Sequence, residues 1–336
     1  MLAKGRATAL KYTKTPYKIC VSEEPREEIF YVPDNNLPAL DLGSCDPMSL
    51  ITPEELYKLK KTFRAPNSLI RKVQECYKKN SDEFDLGENV SLESSLFITN
   101  VEETILRRLK TMYRNESANF LPYYPREELG IRCYHTLVVG SSSVGKSWVT
   151  AAIIRQNFDF AGTTIYVFSP TATKDKAWTE LRKALGKRVK LINSNDVSVS
   201  IPLSELNPGC VLVIDDIDST RQPSKNYISE LQSRCLFEGR HHTDRDEIGC
   251  CVFGIVHDAF AQNNLGLKSS NIESSRIILF PNLNRSICTK FWTKRLHWSS
   301  KECRKAFNFV QKNDRYACVF THVPNLIMTA HGVMLL

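Results

Sequence analysis

The run Gly140-Ser141-Ser142-Ser143-Val144-Gly145-Lys146-Ser147 combines two glycines, a lysine and a hydroxyl at a spacing suited to holding phosphate groups. The glycines permit a tight turn and close approach, so that backbone N–H groups from Ser141 to Lys146 can wrap phosphate oxygens. Lys146 would reach the β and γ phosphates of ATP, and Ser147 would hold Mg2+. A second run, CVLVIDDID from Cys210 to Asp218, is a hydrophobic segment ending in two carboxylates, and charges at the end of a buried strand require a role. Beside a phosphate loop, Asp215 would stand next to Mg2+ and Asp216 would polarise or position an attacking water. The pair therefore implies hydrolysis in addition to binding. Asp218 suits a solvated loop or cap. A third run, CCVFGIVH, ends at His257, which is a candidate γ-phosphate sensor and equally a candidate loop histidine.

The elements that must position these residues follow from the same pattern. The loop is preceded by the apolar run HTLVVG and followed by a helical pattern, 145–157, which would place phosphates at a positive helix end. After Pro125, further short β-branched runs (TTIYVFS, KRVKLIN, CVLVIDD, CCVFGIVH, RIILFP, YACVFTHV) alternate with helical patterns at 174–185, 224–238, 286–297 and 299–312. Such alternation predicts an α/β fold: a P-loop NTPase with a mainly parallel central sheet flanked by helices over 126–336. Residues 1–50 hold Pro16, Pro25, Pro33, Pro38 and Pro47 among mixed charges, and are expected to be extended or loosely ordered. Residues 51–125 are expected to form a small helical appendage. There, TPEELYKLKKTF offers Thr52 as N-cap, and Asn100 is expected to cap a further helix.

Composition narrows the class. The chain has 336 residues, a formal charge of +8 and an ordinary apolar content of 42%. From Arg285 to Arg315 there are nine Lys and Arg against Glu302 and Asp314, a net of +7 that accounts for almost all the excess. That segment is either a solvated helix face or a contact surface for a polyanion. The eleven cysteines are scattered and form no Cys-x-x-Cys pair, which fits buried free thiols and argues against zinc at His241-His242. No apolar run is long enough for a membrane span or a signal-peptide core, so an intracellular, non-secreted protein is expected.

The order of motifs resembles a family. HTLVVGSSSVGKS, VLVIDDI, LQSRCLFEGRHH, VFGIVHDAFAQNN, SSNIESSRIILFPNLNRS and YACVF together are similar to the FtsK/HerA-type, RecA-like genome-packaging ATPases of double-stranded DNA viruses, especially the polinton-type and related small eukaryotic viruses. The similarity spans roughly residues 130 to 323. The chain departs from those relatives at His257-Asp258, where they carry Gln-Asn, and at Asn282 to Ser286, where they carry Asn-Pro-Arg-Asp. The resemblance implies a homo-oligomeric ring that moves double-stranded DNA without reading its sequence, docked on a capsid or portal-like vertex protein. It also implies a location in the host cell, the nucleus first, with the virion open. Each ATP site in such a ring is completed by a neighbour's arginine, for which Arg285 is the first candidate, with Arg276 and Arg240 behind it. Two other readings stand beside this one: a helicase or DNA pump of the same superfamily without a capsid, and a nucleotide-controlled assembly protein with little turnover.

Overall fold

A computed structural model describes residues 2–4, 17–22, 28–31, 51, 53–78, 91–109, 111–114, 117–124, 134–159, 163–207, 209–238, 250–258, 260, 265–321 and 323–336. The chain divides into two compact units, Met1–Asn119 with His331–Leu335, and Phe120–Ala330 with Leu336.

In the first unit, strands β1 (Leu2–Lys4), β2 (Tyr17–Ser22) and β3 (Glu28–Tyr31) pair antiparallel in the order β1-β3-β2. Residues 1–50 are expected to be extended or loosely ordered, and in their described part, 2–4, 17–22 and 28–31, the chain is extended and pairs as strands. Its β-branched and aromatic residues, as in EIFY, supply the reason. Helices α1 (Pro53–Phe63), α2 (Asn67–Lys78) and α3 (Leu92–Leu109) follow, then β4 (Met112–Arg114). Leu56, Leu69, Val73, Phe97 and Val101 form their shared core. Asn100 does not cap a helix. It lies inside α3, where its Nδ2 donates to the Leu96 carbonyl at 2.9 Å, so the apolar stripe runs straight through it. Thr52 lies outside the described residues.

The second unit contains β5 (Phe120–Pro122), β6 (Thr136–Val139), α4 (Lys146–Phe158), β7 (Ile165–Ser169), α5 (Lys176–Leu185), β8 (Val189–Asn193), β9 (Val211–Asp215) and α6 (Ser224–Phe237). It continues with β10 (Cys251–Val256), α7 (Leu265–Glu273), β11 (Arg276–Leu279), α8 (Arg285–Arg295), α9 (Ser300–Phe309), β12 (Ala317–Phe320) and β13 (Val323–Thr329). A last strand, β14 (Gly332–Leu335), pairs antiparallel with β4 in the first unit. Within the second unit the sheet order is β13-β12-β11-β6-β10-β9-β7-β8.

From β11 to β8 every neighbouring pair is parallel, and only β12 and β13 run antiparallel to their neighbours. The strands β6, β7 and β9 are buried along their whole length, as strands covered by helices on both faces must be. This parallel core flanked by helices is the P-loop NTPase architecture expected from the strand–helix rhythm. Helix α7 and strand β13 were not expected. The first is short and rich in small polar residues, and a seam of buried hydrogen bonds, Gln232 to Ser270 at 2.8 Å and Ser233 to Ser269 at 3.0 Å, holds it to α6. Gly254 on β10 leaves room for that seam, because a Cβ there would stand 3.0 Å from the Gln232 amide and 3.1 Å from the Ser270 hydroxyl.

Candidate functional site

The site lies where parallel strands end. Strand β6 sits between β10 and β11, and β9 is the next strand beyond β10, so the loops after β6, β10 and β9 open on one edge of the sheet. That is where open α/β sheets bind ligands.

The loop after β6 has the backbone its sequence calls for. Gly145 adopts φ +97° and Ser143 φ +63°. Gly140 is required for space: a Cβ there would come within 2.8 Å of the Phe280 ring and 2.9 Å of Val144. Helix α4 begins with no side-chain cap and no acidic residue in its first turn, which leaves its first N–H groups available to an anion. Lys146 is buried, and its Nζ donates to the carbonyls of Gly140 and Ser141, both at 2.8 Å. Burial lowers its pKa, and the charges of Asp215 and Asp216 oppose that shift.

His257 links Lys146 to Asp216. The lysine Nζ lies 3.3 Å from His257 Nδ1, and His257 Nε2 lies 3.2 Å from Asp216 Oδ1. With the lysine donating to Nδ1, the imidazole proton belongs on Nε2, facing the carboxylate. The Nε2–Oδ1 separation is an ion-pair distance, yet its geometry is not that of a hydrogen bond, and Asp216 Oδ1 is buried with no hydrogen-bond partner. The other oxygen, Oδ2, accepts from Ser219 Oγ at 3.0 Å. Asp216 itself takes the left-handed conformation, φ +52°, which turns the chain sharply at the end of β9.

Asp215 is buried, and its Oδ2 accepts from Ser147 Oγ at 3.2 Å and from the indole Nε1 of Trp178 at 2.8 Å. Burial raises the carboxyl pKa to about 6. The bonds from Trp178 and Ser147 work against that rise, and the nearby charges of Asp175 and Asp216 add to it. Ser147 and Asp215 are thus the hydroxyl and carboxylate that would hold Mg2+. The hard oxygen donors of that pair fit the ion.

Trp178 is the residue that the sequence motifs missed. It is fully buried on α5, whose N-cap Asp175 accepts from the Ala177 amide at 2.8 Å and so fixes the first turn. The available signal was a tryptophan on the inner face of the helix after β7, since a buried indole N–H needs an acceptor.

The arginine candidates separate. Arg276 is corrected from a candidate neighbour-facing arginine to a structural residue. It is completely buried, with its guanidinium 4.2 Å from the Tyr124 ring centre and 4.3 Å from that of Tyr134, and it donates to the Tyr123 carbonyl at 2.8 Å. Its place in the apolar strand β11 turns its side chain into the core. Arg285 is exposed on the first turn of α8 and stacks over Phe307 at 4.2 Å. It is not part of the Lys146–His257–Asp216 cluster. Arg240, His241 and His242 lie outside the described residues.

In the basic segment, Phe291, Trp292 and Trp298 are buried, whereas Lys290, Lys294, Lys301, Arg304, Lys305, Lys312 and Arg315 are exposed. Every described cysteine is free, and all but Cys251 are buried. Among the described residues no group of His, Cys, Asp and Glu could by itself hold a metal ion, and no helix is long and apolar enough to cross a membrane.

No protein-family model matches the chain, and no curated protein sequence matches it. Solved structures similar to it include the genome packaging NTPase B204 from Sulfolobus turreted icosahedral virus 2 in complex with ATP-gammaS, at 12% identity and a TM-score of 0.33, covering 59% of this chain and 96% of that one. The DNA-packaging ATPase B204 from Sulfolobus turreted icosahedral virus aligns at 14% identity and a TM-score of 0.35, with the same coverage. Thermomonospora curvata EccC (ATPases 2 and 3), in complex with a signal sequence peptide, aligns at 12% identity and a TM-score of 0.33, covering 75% of this chain and 50% of that one.

Proposed function

We propose that the protein is an Mg2+-dependent ATPase that acts as a double-stranded DNA translocase, packaging a viral genome into a capsid. The observation that carries the hydrolytic part is the convergence of Lys146, Ser147, Asp215, Asp216 and His257 at one sheet edge, with the buried Asp216 oxygen lacking a hydrogen-bond partner. On this reading the 140–147 loop binds the triphosphate, and Lys146 exchanges its loop carbonyls for phosphate oxygens. Ser147 and Asp215 hold Mg2+, which when bound offsets charge on the phosphates. Asp216 accepts a hydrogen bond from the attacking water, and His257, between Lys146 and Asp216, senses whether a terminal phosphate is present.

Translocation is supported by the exposed cations of α8, α9 and the turn after them. They suit phosphate contacts that carry no sequence information. In the ring that this reading requires, Arg285 serves the site of the neighbouring subunit. Its support is its exposure and its position after β11, whose following residue Phe280 lies against Gly140 of the phosphate loop. A capsid or portal-like vertex protein completes the assembly, and the order of motifs from Gly140 to Arg285 is what supports that partner.

The test is ATP hydrolysis by the size-resolved oligomer, with and without duplex DNA. Stimulation by duplex DNA, lost in Lys146→Ala, is the expected result. Hydrolysis indifferent to duplex DNA removes the motor. Strand separation in an unwinding assay favours a helicase or DNA pump without a capsid, and ATP-dependent complex formation with negligible turnover favours an assembly protein.

A further inference from the structure

The residue after the Mg2+-holding serine is a tryptophan. Trp148 is 52% exposed on the first turn of α4, whereas the other three tryptophans, Trp178, Trp292 and Trp298, are buried. Cα–Cβ bonds in a helix tilt toward its N-terminus, so the indole leans toward the end of α4 that faces the phosphate loop. It stands at the mouth of a groove between α4 and α5, whose walls include Ala151, Ala152, Ala177, Leu181 and Ala184. These small side chains leave room for a flat ring against the indole, and Arg155 borders the same groove together with Lys183 and Glu180, which pair with each other at 2.6 Å.

Trp148 is the exposed aromatic on the first turn of α4, directly after Ser147 of the phosphate loop. From this we infer that Trp148 is the stacking platform for the nucleobase, and that the α4–α5 groove is the base subsite. The inference rests on the nucleotide-binding reading of the loop. Stacking on a tryptophan face needs no hydrogen-bond code, so the subsite takes any base, purines best, and Trp148 sets affinity more than base identity.

The test uses the full chain with Mg2+, ATP and inorganic tripolyphosphate as probes. Three of the four tryptophans are buried, so emission quenched by acrylamide reports Trp148. ATP is expected to shield that emission while tripolyphosphate does not. By calorimetry, Trp148→Ala is expected to weaken ATP about fivefold or more and to leave tripolyphosphate affinity within about twofold, with Trp148→Phe restoring most of the loss. Unaltered ATP affinity in Trp148→Ala together with unshielded emission overturns the subsite and leaves the phosphate site standing. Shielding that depends on protein concentration without ATP also overturns it, because a second copy of the chain then covers the groove. Failure of both ATP and tripolyphosphate to bind the unaltered chain overturns the nucleotide reading along with it.

Discussion

At the phosphate-loop edge, polar side chains meet one another: Lys146 reaches His257, His257 reaches Asp216, and Ser147 and Trp178 share one oxygen of Asp215. On α8 and α9 the aromatics meet one another, with Trp292 stacked near Trp298 and Phe307, and the cations face solvent. The first region works through fixed distances among buried and half-buried groups, where one lost contact strands a charge. The second works through summed charge at high exposure, where any one cation is dispensable and salt screens all of them. Chemistry at the first should therefore fail abruptly on single substitutions, and contacts made by the second should fade gradually.

The largest expected effect is at the loop. Lys146→Ala should cut ATP hydrolysis at least about 1,000-fold, as measured by phosphate release, and Asp216→Asn should cut it about 100-fold or more while ATP binding persists. Equal losses of binding in both variants would erase the distinction between holding and hydrolysing. Next come the two arginines. Arg276→Ala should cost about 3 kcal/mol or more of stability, since it empties a buried slot between aromatic rings and removes a bond to the Tyr123 carbonyl. Thermal melting should show a fall of roughly 6 °C or more. Arg285→Ala should leave the melting temperature nearly unchanged and lower hydrolysis only in the assembled protein.

Trp178→Phe keeps the buried ring but removes the donor to Asp215, and should weaken Mg2+ about tenfold, as read by Mn2+ binding followed by electron paramagnetic resonance. Asp215 sharpens the same contrast through pH. Its carboxyl titrates near 6 in the folded protein against 3.8 ordinarily, so the raised value means that ionising it costs stability above pH 6. Asp215→Asn should melt a few degrees higher at pH 7.5 without Mg2+, and the gap should shrink between about pH 6 and pH 4. Mg2+-supported hydrolysis by the unaltered protein should fall below about pH 6, as protons compete for the same oxygen. The smallest effects belong to the basic helices. Each of Lys290→Gln, Lys294→Gln and Lys301→Gln should lower the slope of log affinity for duplex DNA against log salt by about 0.9 if the residue meets a phosphate. A single variant that abolishes DNA binding would show a built pocket in place of a diffuse surface.

What could be read in advance was local. The phosphate loop, its flanking strand and helix, and the acidic strand end are each contiguous, and their chemistry depends on neighbours within a few residues. Capping signals are less secure even locally, as Asn100 shows: a good capping residue stays inside a helix when the apolar stripe on both sides is buried by the same core. The N-terminal strands were hidden by prolines that suggested loose chain, and α7 by its small polar residues, which become helical only because α6 supplies hydrogen-bond partners.

Sequence alone determined the parallel α/β layout and the identity of the loop residues, because hydrophobic period and glycine placement are written residue by residue. Only the tertiary structure decided that His257 bridges Lys146 and Asp216, that Trp178 aims Asp215, and that of two arginines nine positions apart Arg276 is core and Arg285 surface. The reason is physical. Each of these depends on which strands lie side by side and which helix face packs over them, and that is settled by long-range burial, in which residues tens of positions apart compete for the same interior.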